Sequence, residues 1–337
     1  MKKYSVELQI IRGKVTFLTL IENRFYEYNW TLIHKEELEG IHAGNIARMT
    51  IKDENNKVKK IIYKEFANSR KNEMDVYAKL LPTIKSMVPI IQVVSSAPEA
   101  VIMDDLGESI KENFKDLSKS KKYSLLEMIL HKLLFLHNEV NKCLPHVDLP
   151  THKVTSEWYK WACSQLNELK LQNLEWYNNS WIDIVNQSFK MINAKNYKIK
   201  GPLVLTHGDP HLENIFLKDS SILFIDWEWA AIASPLRDIT ILLQDIYDVE
   251  TIEFVKNTYF QLALDAGLFT EDIIFKEDFN YLYFDHTLMM LAWEIEKYFK
   301  GLVSESRIVE VINFKVNQMQ NVVNDKRVLS GVIVPNQ

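Results

Sequence analysis

Several familiar signposts are missing from this chain. It has only 2 cysteines, Cys143 and Cys163, in 337 residues. That is too few for a disulfide framework or a thiolate zinc site, so a reducing cytoplasm is the compartment expected. It has no excess of positive charge. The 40 Lys and Arg stand against 45 Asp and Glu, a net charge of -5, which argues against a nucleic-acid binder with its basic face. Long hydrophobic runs are absent too. Stretches such as LMMLAW at 288–293 fall far short of the ~20 apolar residues of a membrane-spanning helix, so no membrane partner is expected. The opening MKKYSVELQIIRGK has lysines but no unbroken apolar segment, and no secretory signal is read there. No G-x-x-x-x-G-K-[ST] occurs, which excludes the P-loop manner of holding a nucleotide. There is no internal repeat and no Gly/Ser linker.

What is present is an ordinary globular composition, 47% hydrophobic and 25% charged, long enough for two domains or two lobes around a cleft. The first hundred residues read as strand-rich. VTFLTLI (15–21), NIARMTI (45–51), KKIIYKEF (59–66) and EAVIMDDL (99–106) are apolar or β-branched runs bounded by turn residues. IKDENNKVK (51–59) has the Asp/Asn content of a hairpin turn. NEMDVYAKLL (72–81) has helical spacing and is expected to stop at Pro82. After DDLGES the pattern turns helical. In residues 123–140, Leu126, Ile129, Leu133 and Leu136 share one face, and 154–195 and 236–325 are mostly helical in pattern.

One polar stretch interrupts the helices: LTHGDPHLENIFLKDSSILFIDWEW, 205–229. Asp209 and Asn214 are five apart, and Asp226 follows at the end of ILFI. IFLKDSSILFI reads as a hairpin turning at 219–221, which returns Asp226 to the side of Asn214. An amide oxygen beside a carboxylate is a hard-oxygen pair suited to Mg²⁺ on a substrate phosphate. Asp209, on the loop upstream, can accept a proton from an attacking hydroxyl. Base, metal ligand and second metal ligand are what phosphoryl transfer from ATP requires. The competing reading is that these Asp and Asn residues only form turns.

HGDPHLEN…IDWE resembles the catalytic and metal motifs of the aminoglycoside phosphotransferase / choline kinase family, small-molecule relatives of protein kinases. His207, Gly208, Asp209, Asn214 and Asp226 stand at that family's spacing. SPLRDITILL resembles its Pro-x-x-Asp helix start, with Asp238 bracing the catalytic loop. The resemblance spans about residues 38–245. It implies an α+β, two-lobed kinase-like fold: a β-rich N-lobe over 1–103, a hinge over 104–107 and a helical C-lobe over 108–337. It implies ATP or GTP with Mg²⁺ as cofactors and a small-molecule hydroxyl as acceptor.

The same resemblance places His207 in the catalytic set, bracing the loop rather than serving as base. It assigns Lys64 to the nucleotide phosphates, paired with Glu73. Gly40 and Gly44 supply the phosphate-covering turn, which is looser than G-x-G-x-x-G. Met103, Asp104 and Leu106 form the core of the adenine-binding hinge. Trp227-Glu228 follows Asp226 where a protein kinase has Phe-Gly, and no activation segment follows, which favours a small molecule over a protein substrate. The alternative from another class is a catalytically silent binding or scaffold protein of the same fold, although none of its Lys, Asp or Asn positions is degraded.

Four further features bear on function. From 226 to 253 there are seven acidic residues against Arg237 alone. Residues 281–299 set Asp285, Met289, Trp293 and Glu296 near one helical face, with Trp158, Tyr159 and Trp161 as a second aromatic group. Acid with aromatic groups suits a cationic acceptor such as an amino alcohol, although aromatic residues at helical spacing are commonly core. His211 makes Asp-x-His, a pattern that also opens metallophosphoesterase sites. Only His286 follows it, too little for a dinuclear hydrolase. His137, on an apolar helical face, reads as a satisfied core histidine. Oligomeric state is not legible.

Overall fold

The computed structural model describes residues 25, 28–38, 45–66, 72–96, 99–142, 144 and 148–329. The chain divides into two compact units, one from 1–74 and 89–105, the other from 75–88 and 106–337.

The first unit is an antiparallel sheet. Strands β1 (Thr31–Leu38), β2 (Asn45–Lys52), β3 (Val58–Glu65), β4 (Ile91–Ser96) and β5 (Glu99–Asp104) lie in the order β1-β2-β3-β5-β4. The β2–β3 turn forms where the Asp/Asn content predicts it. Asp53 Oδ1 accepts from the backbone N–H groups of Asn55 and Lys57, both at 2.9 Å, and Asn56 takes a left-handed φ of 62°. Period-two alternation builds the core: Ala47, Met49 and Ile51 from β2, Ile61 and Tyr63 from β3, and Ala100 and Ile102 from β5 pack with Phe25. Strands β1 and β4 sit at the two edges and are not anticipated by the sequence pattern. The expected strand at 15–21 lies outside the described residues.

Helix α1 (Asn72–Ile84) carries Pro82 inside it rather than ending before it. The proline sits in the last turn. The only intrahelical bond it withdraws is its own N–H to the carbonyl four residues back, and the chain continues two residues further. The second unit adds α2 (Ile110–Phe114), α3 (Lys119–Phe135), α4 (Glu157–Leu171) and α5 (Ser180–Met191). Strand β6 (Val204–Thr206), hairpin β7 (Ile215–Lys218) and β8 (Ser221–Phe224), and β9 (Ala231–Ala233) follow. Helices α6 (Leu236–Leu242), α7 (Val249–Asp265), α8 (Asp272–Phe299) and α9 (Glu305–Leu329) complete it.

Leu126, Ile129 and Leu133 are fully buried on α3, as their spacing predicts. The helix then widens into a π-turn over Leu136–Val140. Helix α8 is buried on nearly every side from Asp278 to Leu288 and packs against α4, α6 and α9, which makes it the unit's central post. Among the described residues no helix is long and apolar enough to cross a membrane.

Candidate active site

Three short pieces of chain position the polar stretch. Strand β6 pairs with β9, Thr206 opposite Ala231, and delivers His207 at its end. Hairpin β7–β8 pairs Ile215 with Phe224 across a two-residue turn, where Asp219 and Ser220 have φ of 49° and 61°. Left-handed angles at both central positions are those of a tight mirror-image turn that matches strand twist. The hairpin therefore returns the chain as the sequence predicts: Ile225 N–H donates to Asn214 O at 3.0 Å, so Asp226 begins beside Asn214. Helix α6, every residue of which is buried, supplies Asp238 from its first turn.

Asp238 holds the loop. Its Oδ2 accepts from His207 N–H and its Oδ1 from Gly208 N–H, both at 2.8 Å. His137, in the π-turn after α3, donates from Nε2 to Asp238 Oδ2 at 2.9 Å, and its Nδ1 lies 2.6 Å from the Tyr259 hydroxyl. Burial works against ionising Asp238. His137, His207 and Arg237 outweigh it and hold the carboxyl below its ordinary range.

Gly208 takes a φ of +88°, and a Cβ there would lie 2.1 Å from Trp229 O and 2.6 Å from Arg237 Nη1. Only glycine fits at this close approach. His207 is fully buried. Its Nε2–H donates to Ile225 O at 3.0 Å, and its Nδ1 accepts from Asp209 N–H at 3.2 Å. Burial lowers its pKa, which fits the neutral tautomer those two bonds require. His207 thus ties Asp209 to the end of the hairpin through backbone bonds.

Asn214 donates from Nδ2 to Asp209 O at 2.9 Å and to Asp209 Oδ2 at 3.2 Å. Its amide oxygen remains as the ligand-type atom. Asp226 stands at a left-handed φ of 63°, an uncommon backbone state that Asp tolerates better than most residues. Burial raises the pKa of Asp209, with the Asp226 charge adding and His211 and His207 opposing. A raised carboxyl is a better proton acceptor than an ordinary surface aspartate. Among the described residues no three His, Cys, Asp or Glu side chains form a metal-binding group. An ion here would take Asn214, Asp226 and oxygens of a bound nucleotide, the donor set that suits Mg²⁺.

Within the first unit, Lys64 on β3 and Glu73 at the start of α1 are joined, Lys64 Nζ lying 2.5 Å from Glu73 Oε2. Met103 and Asp104 close β5. Asp104 N–H donates to Ile90 O and Asp105 N–H to Lys60 O, so these two donors serve the sheet. Leu106 opens the longer run of the second unit. Gly40 and Gly44 lie outside the described residues.

Four residues that matter here carry too weak a sequence signal to be singled out for this role. His211 follows Asp209 by two, and its Nε2 lies 3.2 Å from Asp209 Oδ1 while its Nδ1 lies 3.4 Å from Asp245 Oδ2. Asp245 Oδ2 also accepts from Leu212 N–H at 2.8 Å, and its Oδ1 lies 3.1 Å from Lys111 Nζ. His137 is satisfied, as expected, but by Asp238 rather than by inert core.

The acidic run is not an open charged face. Besides Asp238 and Asp245, Asp248 caps α7 through Thr251 N–H at 3.0 Å, Glu250 pairs with Lys119, and Glu253 lies 3.4 Å from Lys256. On α8, Trp293 meets Trp161 at 6.5 Å between ring centroids, and Trp161 meets Trp158 at 5.8 Å. Lys297 and Lys300 lie over the Trp293 ring, and Glu296 pairs with Lys300. Asp285 is buried, its Oδ2 has no hydrogen-bond partner, and burial pushes its pKa up to about 8.

A sheet carrying a Lys–Glu pair, and a helical body whose His-Gly-Asp loop is clamped from behind and flanked by a returning Asp, define the kinase-like class. The comparisons agree. Residues 113–268 match the phosphotransferase enzyme family, the family whose motifs the sequence resembles. No curated sequence relative matches.

Solved structures share the fold at low identity. Choline kinase LicA from Streptococcus pneumoniae has a TM-score of 0.57 at 13% identity, over 90% of this chain and 99% of that one. Spectinomycin phosphotransferase APH(9)-Ia, solved with ADP and spectinomycin, gives 0.58 at 16%, over 91% and 100%. Aminoglycoside 2'-phosphotransferase-IIIa, solved with GDP, gives 0.58 at 15%, over 90% and 98%.

Proposed function

We propose that the protein transfers the γ-phosphoryl group of ATP or GTP to a hydroxyl of a small molecule, with Mg²⁺ as the metal. The observation that carries this reading is the pairing of Asp209 with Asn214 and the return of Asp226 to Asn214 through the hairpin. Asp209 orients the acceptor hydroxyl and takes its proton. Asn214 and Asp226 would hold Mg²⁺, which when bound would supply neutralising charge for the phosphates. Lys64, set by Glu73, offsets charge on the remaining phosphates. Met103, Asp104 and Leu106 serve as the adenine-binding segment. His207 and Asp238 keep Asp209 in place. Catalysis of this kind is mainly positioning and charge stabilisation.

The acceptor we propose is an amino alcohol or aminoglycoside type of molecule. The choline kinase and the spectinomycin phosphotransferase among the structural neighbours and the Trp158–Trp161–Trp293 group support it. The acidic run does not, because Asp238, Asp245, Asp248, Glu250 and Glu253 have partners within the chain. The cytoplasm remains the proposed compartment.

The test is the thermal midpoint with Mg·ATP, with Mg·GTP, and with each of a panel of amino alcohols, aminoglycosides, sugars and nucleosides. Ligand at 100 times its Kd stabilises the native state by about 2.7 kcal/mol, a readily measured shift. A Mg²⁺-dependent nucleotide shift plus a shift with one acceptor class supports the reading. No nucleotide shift at millimolar concentration favours the silent scaffold.

A further inference from the structure

The imidazole of His211 lies between two carboxylates, and only one of them belongs to the loop that carries it. Asp245 comes from the turn after α6, thirty-four residues downstream of His211, and it is firmly seated. Its side chain is 7% exposed, it accepts from Leu212 N–H at 2.8 Å, and Lys111 of α2 reaches its other oxygen at 3.1 Å. Burial opposes ionising Asp245, but His211 and Lys111 hold its carboxyl far below the ordinary range. It is a fixed anionic post behind the loop.

On the other side of the ring stands Asp209. A carboxylate on a single-bonded stem rotates, and its two oxygens exchange places unless each is held. Asn214 Nδ2 reaches Oδ2 at 3.2 Å. Among the described residues, His211 Nε2, at 3.2 Å, is the group at ion-pair distance from Oδ1. The loop backbone has its own fixings: Leu212 N–H to Asp245, Asn214 N–H to His211 O at 2.8 Å, and His211 N–H to Asp209 O at 2.9 Å. None of these backbone bonds involves the imidazole ring. Its one contact toward the chemistry is with Asp209.

We infer that His211, seated against Asp245, is a positioning residue that fixes the plane of the Asp209 carboxylate for the acceptor hydroxyl. This rests on the reading of Asp209 as the proton acceptor. Phosphoryl transfer is sensitive to placement, and a misplacement of about 1 Å costs roughly 10²-fold in rate. Loss of the ring acts on kcat and leaves nucleotide binding alone, because the ring's ion-pair partners are Asp209 and Asp245.

The experiment uses the full chain, with two probes: Mg·ADP binding by calorimetry, and turnover of Mg·ATP with water and with the amino alcohol and aminoglycoside panel. For His211→Ala the expected result is a fall in kcat of roughly 10²-fold, an unchanged Mg·ADP Kd, and partial recovery on adding imidazole. Asp245→Asn keeps an acceptor for Leu212 N–H while removing the charge behind the ring, and it should lower kcat in the same direction. It also serves if His211→Ala does not fold. A kcat within twofold of wild type in both variants overturns the inference. So does a Mg·ADP Kd that weakens in step with kcat, which would mark a collapsed loop. A wild type that binds Mg·ADP yet turns over nothing overturns the reading of Asp209, and this inference with it. An active wild type with unchanged variants overturns this inference alone.

Discussion

His137 and Asp238, 101 residues apart, are joined by a 2.9 Å hydrogen bond with neither side chain exposed to solvent. Through it a π-turn in one helix supports a loop that it does not itself adjoin in sequence. Asp238→Ala leaves His137 Nε2 and the backbone N–H groups of His207 and Gly208 without their acceptor. Leaving a buried donor without its acceptor costs about 1–3 kcal/mol, and here three donors lose theirs. Chemical denaturation should show that loss, and His137→Ala combined with Asp238→Ala should cost clearly less than the two added.

Gly208→Ala is expected to disable the site at modest cost to the rest of the molecule. Left-handed backbone at a non-glycine residue costs about 1–3 kcal/mol. The added Cβ would also meet Trp229 O at 2.1 Å, so the loop must shift and carry Asp209 with it. Turnover should be lost while far-UV circular dichroism stays near wild type. Full activity in this variant would show that the loop geometry is not required.

Asp209→Asn removes the proton acceptor but keeps the shape that Asn214 recognises. Turnover should fall by roughly 10²–10⁴-fold while Mg·ADP still binds with near-native affinity. Asp226→Ala should do the reverse first, weakening Mg·ADP itself. A nucleotide titration of each variant beside its kcat separates the two roles.

The Asp285 pKa rises from 3.8 to about 8 in the folded protein, so between those values the native state holds a proton that the unfolded state has lost. Stability from this group is full below pH 3.8 and is lost as pH rises through 8, a change on the order of 4 kcal/mol by pH 7. Lys315, buried and donating to Gln244, has its pKa lowered from 10.5 to about 7 by burial. Its contribution runs the other way, rising between pH 7 and 10.5. Asp285→Asn should flatten the fall between pH 4 and 8 in a series of urea melts. An unchanged slope would show that Asp285 is not the group responsible.

Much of this site could be read directly because its signals are local. The β7–β8 hairpin has a two-residue turn between apolar runs, and His207, Gly208, Asp209, Asn214 and Asp226 fall within twenty residues of one another. What escaped depends on distant partners. Strand β1 is an edge strand bearing Lys35, Glu36 and Glu37, the charged kind that resists unwanted pairing and hides period-two alternation. Pro82 was read by its usual effect, which fails in a final helical turn. The acidic run resembles a cation site in the sequence because Lys111 and Lys119, which pair with Asp245 and Glu250, come from distant parts of the chain, and Lys256, which pairs with Glu253, lies just past its end. His211 gained its meaning only when the fold set Asp245 beside it.

The Asp219–Ser220 turn has one more consequence. With four residues on each arm and two between, Asn214 and Asp226 cannot vary their separation without unzipping the ladder that joins Ile215 to Phe224. The proposed ion would be held by both residues, with the hairpin keeping them side by side. Selectivity among divalent cations would then be set by ionic radius, and lengthening the turn by one residue should blur that discrimination before it weakens affinity.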